Sequence, residues 1–281
     1  MARTILITGC SSGIGYCVAQ GLKARGYRVF ATARREQDVQ RLAEEGFEAL
    51  QLDLADSASI EAAVDEVLKR TGGTLDALFN NGAYGQPGAV EDLRREILRE
   101  QLETNLLGWL ELTNRVLPVM RRQGHGRIIN NSSVLGLIAL PFRGAYNTSK
   151  FALEGMTDTL RLELHGTDIH VCLVEPGPII SQFRANAYEA FKRNIDREHS
   201  AFRKQYAGAE QRLARPDKGD DPFTLGPEAV LKRVVHALES SRPRPRYYVT
   251  FPTWLFGILR RLLSTRMLDR VLLAVSRDEN R

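Results

Sequence analysis

Residues 8–15 read TGCSSGIG, and the run RTILI at 3–7 leads straight into them. Arg3 to Thr8 is short and rich in β-branched residues, the pattern of a buried strand. From Ile14 to Arg25 apolar residues recur at helical spacing. A strand, a glycine turn and a helix therefore follow one another. That order gives the glycines a purpose, because a helix start presents unpaired N–H groups and the positive end of its dipole to whatever lies in front. An anion suits that position. Gly9 lets the chain turn sharply, Gly13 lets a phosphate approach the backbone with no Cβ in the way, and Gly15 lets the helix pack close on the strand. Ser11 and Ser12 add hydroxyl donors, and Ile14 belongs to the same loop. A plain glycine turn would read the same in isolation. A Walker loop is disfavoured, since Tyr16 stands where its lysine should follow the last glycine.

The alternation continues along the chain. YRVFATA, FEALQLD, LDALFNN, GRIINNSS and IHVCLVEP read as strands. Between them helices are predicted from about Glu36 to Glu45, over SASIEAAVDEVLKR from a serine cap, from about Asp92 to Arg122, and from about Phe142 to Leu164. Apolar strands alternating with amphipathic helices predict an α/β fold, a doubly wound parallel sheet of the Rossmann type. One domain over 1–250 is expected. Its regularity fails at 177–226, where charged helical sequence and the loop-like PDKGDDPFTLGP suggest a lid. A helix from about Glu228 to Glu239 and the strand RYYVT complete the core, and 251–281 form an amphipathic helical extension.

A chain of 281 residues, 43% hydrophobic and 26% charged, has the composition of a soluble globular protein. No apolar signal segment opens it and no apolar run is long enough to span a bilayer, so cytoplasmic residence is the expectation. Cys10, Cys17 and Cys172 are scattered, reduced thiols without metal spacing, and the five histidines form no ligand pattern. No metal is expected. The formal charge of +5 is concentrated from Arg242 onward, where nine arginines face Asp269, Asp278 and Glu279. No basic face interleaved with aromatics appears elsewhere, so nucleic acid is not an expected partner.

Chemistry concentrates in three places. At the end of the second predicted strand, an acid would accept from the 2′-hydroxyl of NAD, but Arg34 and Arg35 stand there and suit the 2′-phosphate of NADP. NADP is therefore expected over NAD. Asp53, with Leu54 beside it, closes the third strand where it can accept from an adenine amino group. In SSVLGLIALPFRGAYNTSK, Tyr146 and Lys150 lie four apart on one helical face. A cation there should lower the phenol pKa from its ordinary value of about 10, making a usable proton donor and acceptor. Ser133 at the end of the fifth strand can hold a substrate oxygen, since strand ends bind ligands in open α/β sheets.

TGCSSGIG, NNGA at 80–83, TNLLG at 104–108, NSS at 131–133, YNTSK at 146–150 and PG at 176–177 occur in the order and spacing of the short-chain dehydrogenase/reductase family. The chain resembles that family over about Arg3 to Ser181, and within it the steroid and retinol dehydrogenase subgroup. The resemblance implies Tyr146 as acid/base, Ser133 rather than Ser132 as its partner, and Lys150 on the nicotinamide ribose. It makes Asn105 a fourth catalytic member that bends a helix and anchors a water. It places Asn81, Gly82 and Ala83 near the adenosine, and Pro176, Gly177, Ile179 and Ser181 near the nicotinamide. The chain departs from the family in having NNGA for NNAG and Ser181 for a threonine.

An NADP(H)-dependent carbonyl reductase or alcohol dehydrogenase is the leading reading. A catalytically silent NADP-binding regulator and a nucleotide-sugar epimerase-like enzyme are the alternatives. Phe183, Tyr188, Phe191, Phe202, Tyr206 and Phe223 give the lid aromatics that fit a lipophilic carbonyl or alcohol, or else pack the lid against the core. The stretch 251–275 mixes apolar residues with arginines. It suits a cleft cover or a subunit interface in a homo-oligomer, a dimer or tetramer, ahead of peripheral contact with a membrane.

Overall fold

The computed structural model describes residues 2–214 and 222–279. Seven strands form one parallel sheet: β1 (Thr4–Ile7), β2 (Arg28–Ala33), β3 (Glu48–Gln51), β4 (Ala77–Asn80), β5 (Gly126–Asn131), β6 (Ile169–Glu175) and β7 (Arg246–Tyr248), in the order β3-β2-β1-β4-β5-β6-β7. In register, Ile5 lies between Val29 and Ala77. The chain builds outward from β1 to β3 and then crosses back to β4, so the strand order reverses between β1 and β4. Such a switch point opens a crevice at the strands' C-terminal ends. The glycine turn, Asn81, Ser133 and Pro176 all follow strands at that end.

Helices cover both faces because the buried strand residues are mostly apolar. On one face α1 (Gly13–Ala24) and α9 (Glu228–Glu239) bury Val18, Leu22, Val230 and Val234. On the other, α3 (Ser57–Thr71), α5 (Gly108–Gln123) and α6 (Gly144–Glu163) bury Ile60, Val67, Trp109, Leu112 and Leu153. Each such aliphatic side chain contributes about 1.5–3 kcal/mol on leaving water. The helix α2 (Glu36–Glu44) lies between β2 and β3.

Two local readings are corrected. α3 is capped by Asp56, not a serine: the Asp56 carboxylate accepts from Ala58 N at 3.0 Å. The single helix expected from Asp92 to Arg122 is a 3₁₀ turn at Val90–Asp92, α4 (Arg95–Leu102), a π turn at Glu103–Leu107 and then α5.

The insertion folds as α7 (Phe183–Asn194) and α8 (Arg203–Ala214), with Pro216 to Asp221 of the expected loop outside the described residues. Phe191, Tyr206 and Leu213 form a separate apolar cluster with Tyr188, Phe202 and Phe142. The Tyr206 hydroxyl donates to Asp92 and accepts from Ala89 N, which latches this unit to the loop after β4. Four lid aromatics thus pack among themselves. Phe183 and Phe223 do not join that cluster.

The extension folds as α10 (Phe251–Leu262) and α11 (Thr265–Glu279), and 280–281 lie outside the described residues. Their inner faces, with Phe256, Leu268, Val271 and Leu272, pack on Val134, Leu135, Ile138 and Leu140. The extension therefore covers the loop that follows Ser133.

Candidate active site

The glycine turn is shaped by close approaches. Gly9 and Gly13 adopt φ of +71° and +59°, a region that favours glycine. A Cβ on Gly15 would stand 2.2 Å from the Gly9 carbonyl oxygen, and one on Gly9 would stand 2.6 Å from Gly82 Cα. Thr8 Oγ1 accepts from Asn81 N and Gly82 N, both at 2.8 Å, while Asn81 Nδ2 donates to Thr8 O at 3.0 Å. The NNGA order is explained by this contact: Gly82 meets Gly9 backbone to backbone, and Ala83 packs toward the core. Ser12, in extended conformation, begins α1 without a side-chain cap. Ser11 and Ile14 flank it in the turn.

Arg34 and Arg35 are exposed at the end of β2, and neither forms an ion pair among the described residues. Asp53 is tied into its own turn, its carboxylate accepting from Ala55 N at 3.0 Å. Leu54 is buried against the helices. A cradle that a Cβ would fill and a helix N-terminus fit the phosphates of a dinucleotide, with two guanidinium groups at the end of β2 beside them.

Tyr146, Ser133 and Lys150 converge at the ends of β5 and α6. Ser133 opens a short 3₁₀ turn at Val134–Gly136, and its hydroxyl accepts from Leu135 N at 3.1 Å on the side that faces the Tyr146 phenol. Ser132 points the other way and donates to the Glu154 carboxylate. Lys150 is buried. Its Nζ donates to Asn131 O at 2.8 Å and lies 4.5 Å from the Trp109 ring centre and 5.6 Å from that of Tyr146. Burial pushes the Lys150 ammonium down to about 7, with Glu154 opposing the shift. Burial also raises the Tyr146 phenol, against the hydrogen bond from Ser133. The expectation of a lowered phenol pKa is thus corrected: burial raises the phenol, and Lys150, 5.6 Å from the ring centre, does not offset it.

Asn105 sits in the π turn and is fully buried. Its Oδ1 accepts from Tyr84 N at 3.1 Å, and its Nδ2 donates to Tyr84 O at 2.8 Å and Ser149 Oγ at 3.3 Å. Ser149 donates in turn to Tyr146 O at 2.8 Å. The Asn105 side chain is thereby spent on tying the loop after β4 to the helix that carries Tyr146.

The loop after β6 closes the cleft. Pro176 O accepts from Val134 N at 2.8 Å, and Gly177 leaves room for Thr250 Oγ1, which a Cβ would meet at 2.3 Å. Ile179 is buried and bridges Leu225. Ser181 Oγ donates to Ile179 O, and Ser181 lies over Gly13, whose Cβ position is 3.0 Å from Ser181 Cβ. Phe183 stands edge-on to Tyr146 with ring centres 5.2 Å apart, so one lid aromatic reaches the candidate reacting group.

Directly behind these loops is a charged cluster that the sequence reading missed. Arg246 donates to Glu154, to Glu175 at 2.6 Å and to Asp158 at 2.5 Å. Burial raises both glutamates, and the carboxylates raise Arg246. A glutamate closing an otherwise apolar strand, IHVCLVE, was the available signal, because a buried charge needs a partner.

The same motifs in the same order occur in known proteins. The short chain dehydrogenase profile matches residues 3–191. The chain belongs to that family. It is an oxidoreductase of alcohol and carbonyl groups. The oxidoreductase YbbO of Escherichia coli, itself uncharacterized, is 41% identical over 272 residues, covering 97% of this chain and 94% of its own. Human 17-beta-hydroxysteroid dehydrogenase type 1 is 35% identical over 264 residues, covering 89% of this chain and 78% of its own. A solved short-chain dehydrogenase from Streptomyces avermitilis superposes with a TM-score of 0.80 at 29% identity, covering 99% of this chain and 98% of that one.

Proposed function

We propose that this protein reduces a lipophilic carbonyl, or oxidises the matching alcohol, with NADP(H) in preference to NAD(H). The observation that carries the reading is the meeting of Tyr146, Ser133 and Lys150 beside Phe183 at the strand ends. When bound, the reduced nicotinamide supplies hydride. Ser133 and Tyr146 hold the substrate oxygen, stabilising negative charge where it forms. In reduction Tyr146 gives its phenolic proton to that oxygen, and in oxidation it takes one. Lys150 positions the ribose. Arg34 and Arg35 receive the 2′-phosphate.

A lipophilic substrate is supported by the Phe183 ring edge-on to Tyr146 and by the hydroxysteroid in the name of the human relative. Three free thiols fit the reducing cytoplasm. The test is NADPH consumption by the purified protein over a panel of aldehydes, ketones and sterols. Tyr146→Phe should abolish turnover yet leave NADPH binding within about threefold, since the phenol moves a proton and does not hold the cofactor. NADPH binding without turnover of any compound would favour the silent regulator.

A further inference from the structure

Helix α10 turns an apolar face outward. Phe251, Trp254, Leu255, Ile258 and Leu262 recur at helical spacing, with Phe251 60% and Leu262 75% exposed. Thr253, Phe256 and Gly257 of the same helix are buried beneath. A surface helix in water shows polar residues on its outer face, so this pattern marks a contact. The strip continues beyond α10. The Phe251 ring stacks on Phe223 at 5.5 Å, and the segment after Phe223 is tied to the cleft loop by Ile180 N donating to Leu225 O at 3.0 Å. Ile180 and Leu225 are themselves exposed. Apolar surface thus runs from the mouth of the cleft along α10.

Charge lies beside the strip. A cavity of about 300 Å³ is lined by Arg233, Arg244, Arg246, Arg261, Tyr248 and Trp254, with no acidic side chain in its wall. Arg246 is neutralised by its three carboxylates. Arg233, Arg244 and Arg261 form no ion pair among the described residues. Three guanidinium groups around one cavity repel each other until an anion with several acceptor oxygens enters, and phosphate matches their planar donors. Trp254 belongs to both features: one wall of the cavity is also part of the apolar strip. A ligand that fills both is phosphate at one end and hydrocarbon at the other.

We propose that α10 and the arginine cavity form a docking face for a bilayer containing anionic phospholipid, with one lipid phosphate in the cavity and the apolar strip among the acyl chains. No helix of the described residues is long and apolar enough to cross a membrane, so the contact is interfacial. A second copy of the chain is the poorer occupant, because a two-fold contact on this face would bring two unneutralised arginine clusters together. Docking in this orientation turns Ile180 and the cleft mouth toward the lipid. It does not depend on the proposed reaction, and its test involves no turnover.

The full chain is sedimented with phosphatidylcholine vesicles and with vesicles containing about one third phosphatidylglycerol. Binding is expected to the anionic vesicles only, and to fall when salt is raised to about 0.5 M. A basic side chain at such a surface contributes about fivefold, so the combined R233Q, R244Q and R261Q variant should bind on the order of a hundredfold more weakly. The combined W254S, I258S and L262S variant should fall to the level seen with neutral vesicles. Both change outward-facing side chains, and unaltered thermal melting and NADPH binding check that each has folded. Free glycerol phosphate should not displace the protein. If it does, the cavity serves a soluble phosphate and the bilayer proposal fails. It fails equally if the wild type ignores anionic vesicles at low salt. Conversion of a dimer to a monomer by the W254S, I258S and L262S variant, with vesicle binding intact, would assign the face to a second copy.

Discussion

Replacing Arg246 with methionine removes one cation from three carboxylates at once. Asp158 is 38% exposed by side chain and keeps Arg161, so its share of the loss is screened to about 1 kcal/mol or less. Glu175 is 0% exposed and Glu154 9%, and water cannot replace the guanidinium there. Removing one partner of a buried ion pair costs about 3–5 kcal/mol, and that range is expected for R246M near pH 8. The pH dependence has a definite sign. Burial already raises both glutamates above their ordinary value of 4.5 in the folded protein, so the folded chain holds protons that the unfolded chain has released. Stability therefore falls as pH rises from about 4.5 through the raised folded values. Without Arg246 those values rise further and the decline extends to higher pH. Urea unfolding of both proteins should show a deficit smaller by about 1–2 kcal/mol near pH 5 than near pH 8. Adding E154Q and E175Q to R246M should recover most of the loss. An equal deficit at both pH values, or no recovery, would refute the view that these residues act as one electrostatic unit. Turnover should fall as well, because Ser132 and Glu175 adjoin Ser133 and Pro176.

Arg34→Asp should shift cofactor preference from NADPH toward NADH by tenfold or more, each lost charge-assisted bond contributing about 1.5–3 kcal/mol. Fluorescence titration with both cofactors checks this, and equal affinity in the wild type would overturn it. Lys150 holds its proton to about pH 7 when folded and to 10.5 when unfolded. Between those values the unfolded chain binds the extra proton, so wild-type stability relative to K150M should rise by up to about 1.4 kcal/mol per pH unit, and parallel pH curves would exclude the shift. Gly15→Ala places a Cβ 2.2 Å from a backbone oxygen that cannot yield. It should lower stability by about 1–3 kcal/mol and NADPH affinity by tenfold or more, measured by thermal melting and titration.

Features encoded by neighbours in the chain were legible in the sequence. The glycine turn between β1 and α1 followed from local sequence, and α9 runs from Glu228 to Glu239 as expected. Tyr146 and Lys150 share a helical face because four residues make about one turn. The direction of their pKa shifts was not legible, since spacing reports that a cation is near but not that both groups leave water. The π turn at Asn105 does not show in the apolar periodicity, which one extra residue in a turn barely disturbs, and only the family resemblance placed a bend there. The cluster around Arg246 joins β6, α6 and β7, and such contacts exist only once the sheet has formed. The lid aromatics were ambiguous for the same reason: Phe191 and Phe183 look alike in sequence, yet one is buried in the lid and the other meets Tyr146.

The cover that α10 and α11 place over Val134 to Leu140 ties the cleft to the order of synthesis. The central strand β1 is made before Ser133 emerges. The residues that shield its loop, Phe256 and Leu272, arrive far later. A nascent chain on the ribosome can pair its inner strands while Ile138 and its neighbours still face solvent as an adhesive patch, the kind of intermediate that chaperones bind. The loop after Ser133 is then covered only when α10 and α11 dock. Proteolysis in the link at Leu263–Ser264 would undo that docking while leaving the sheet intact.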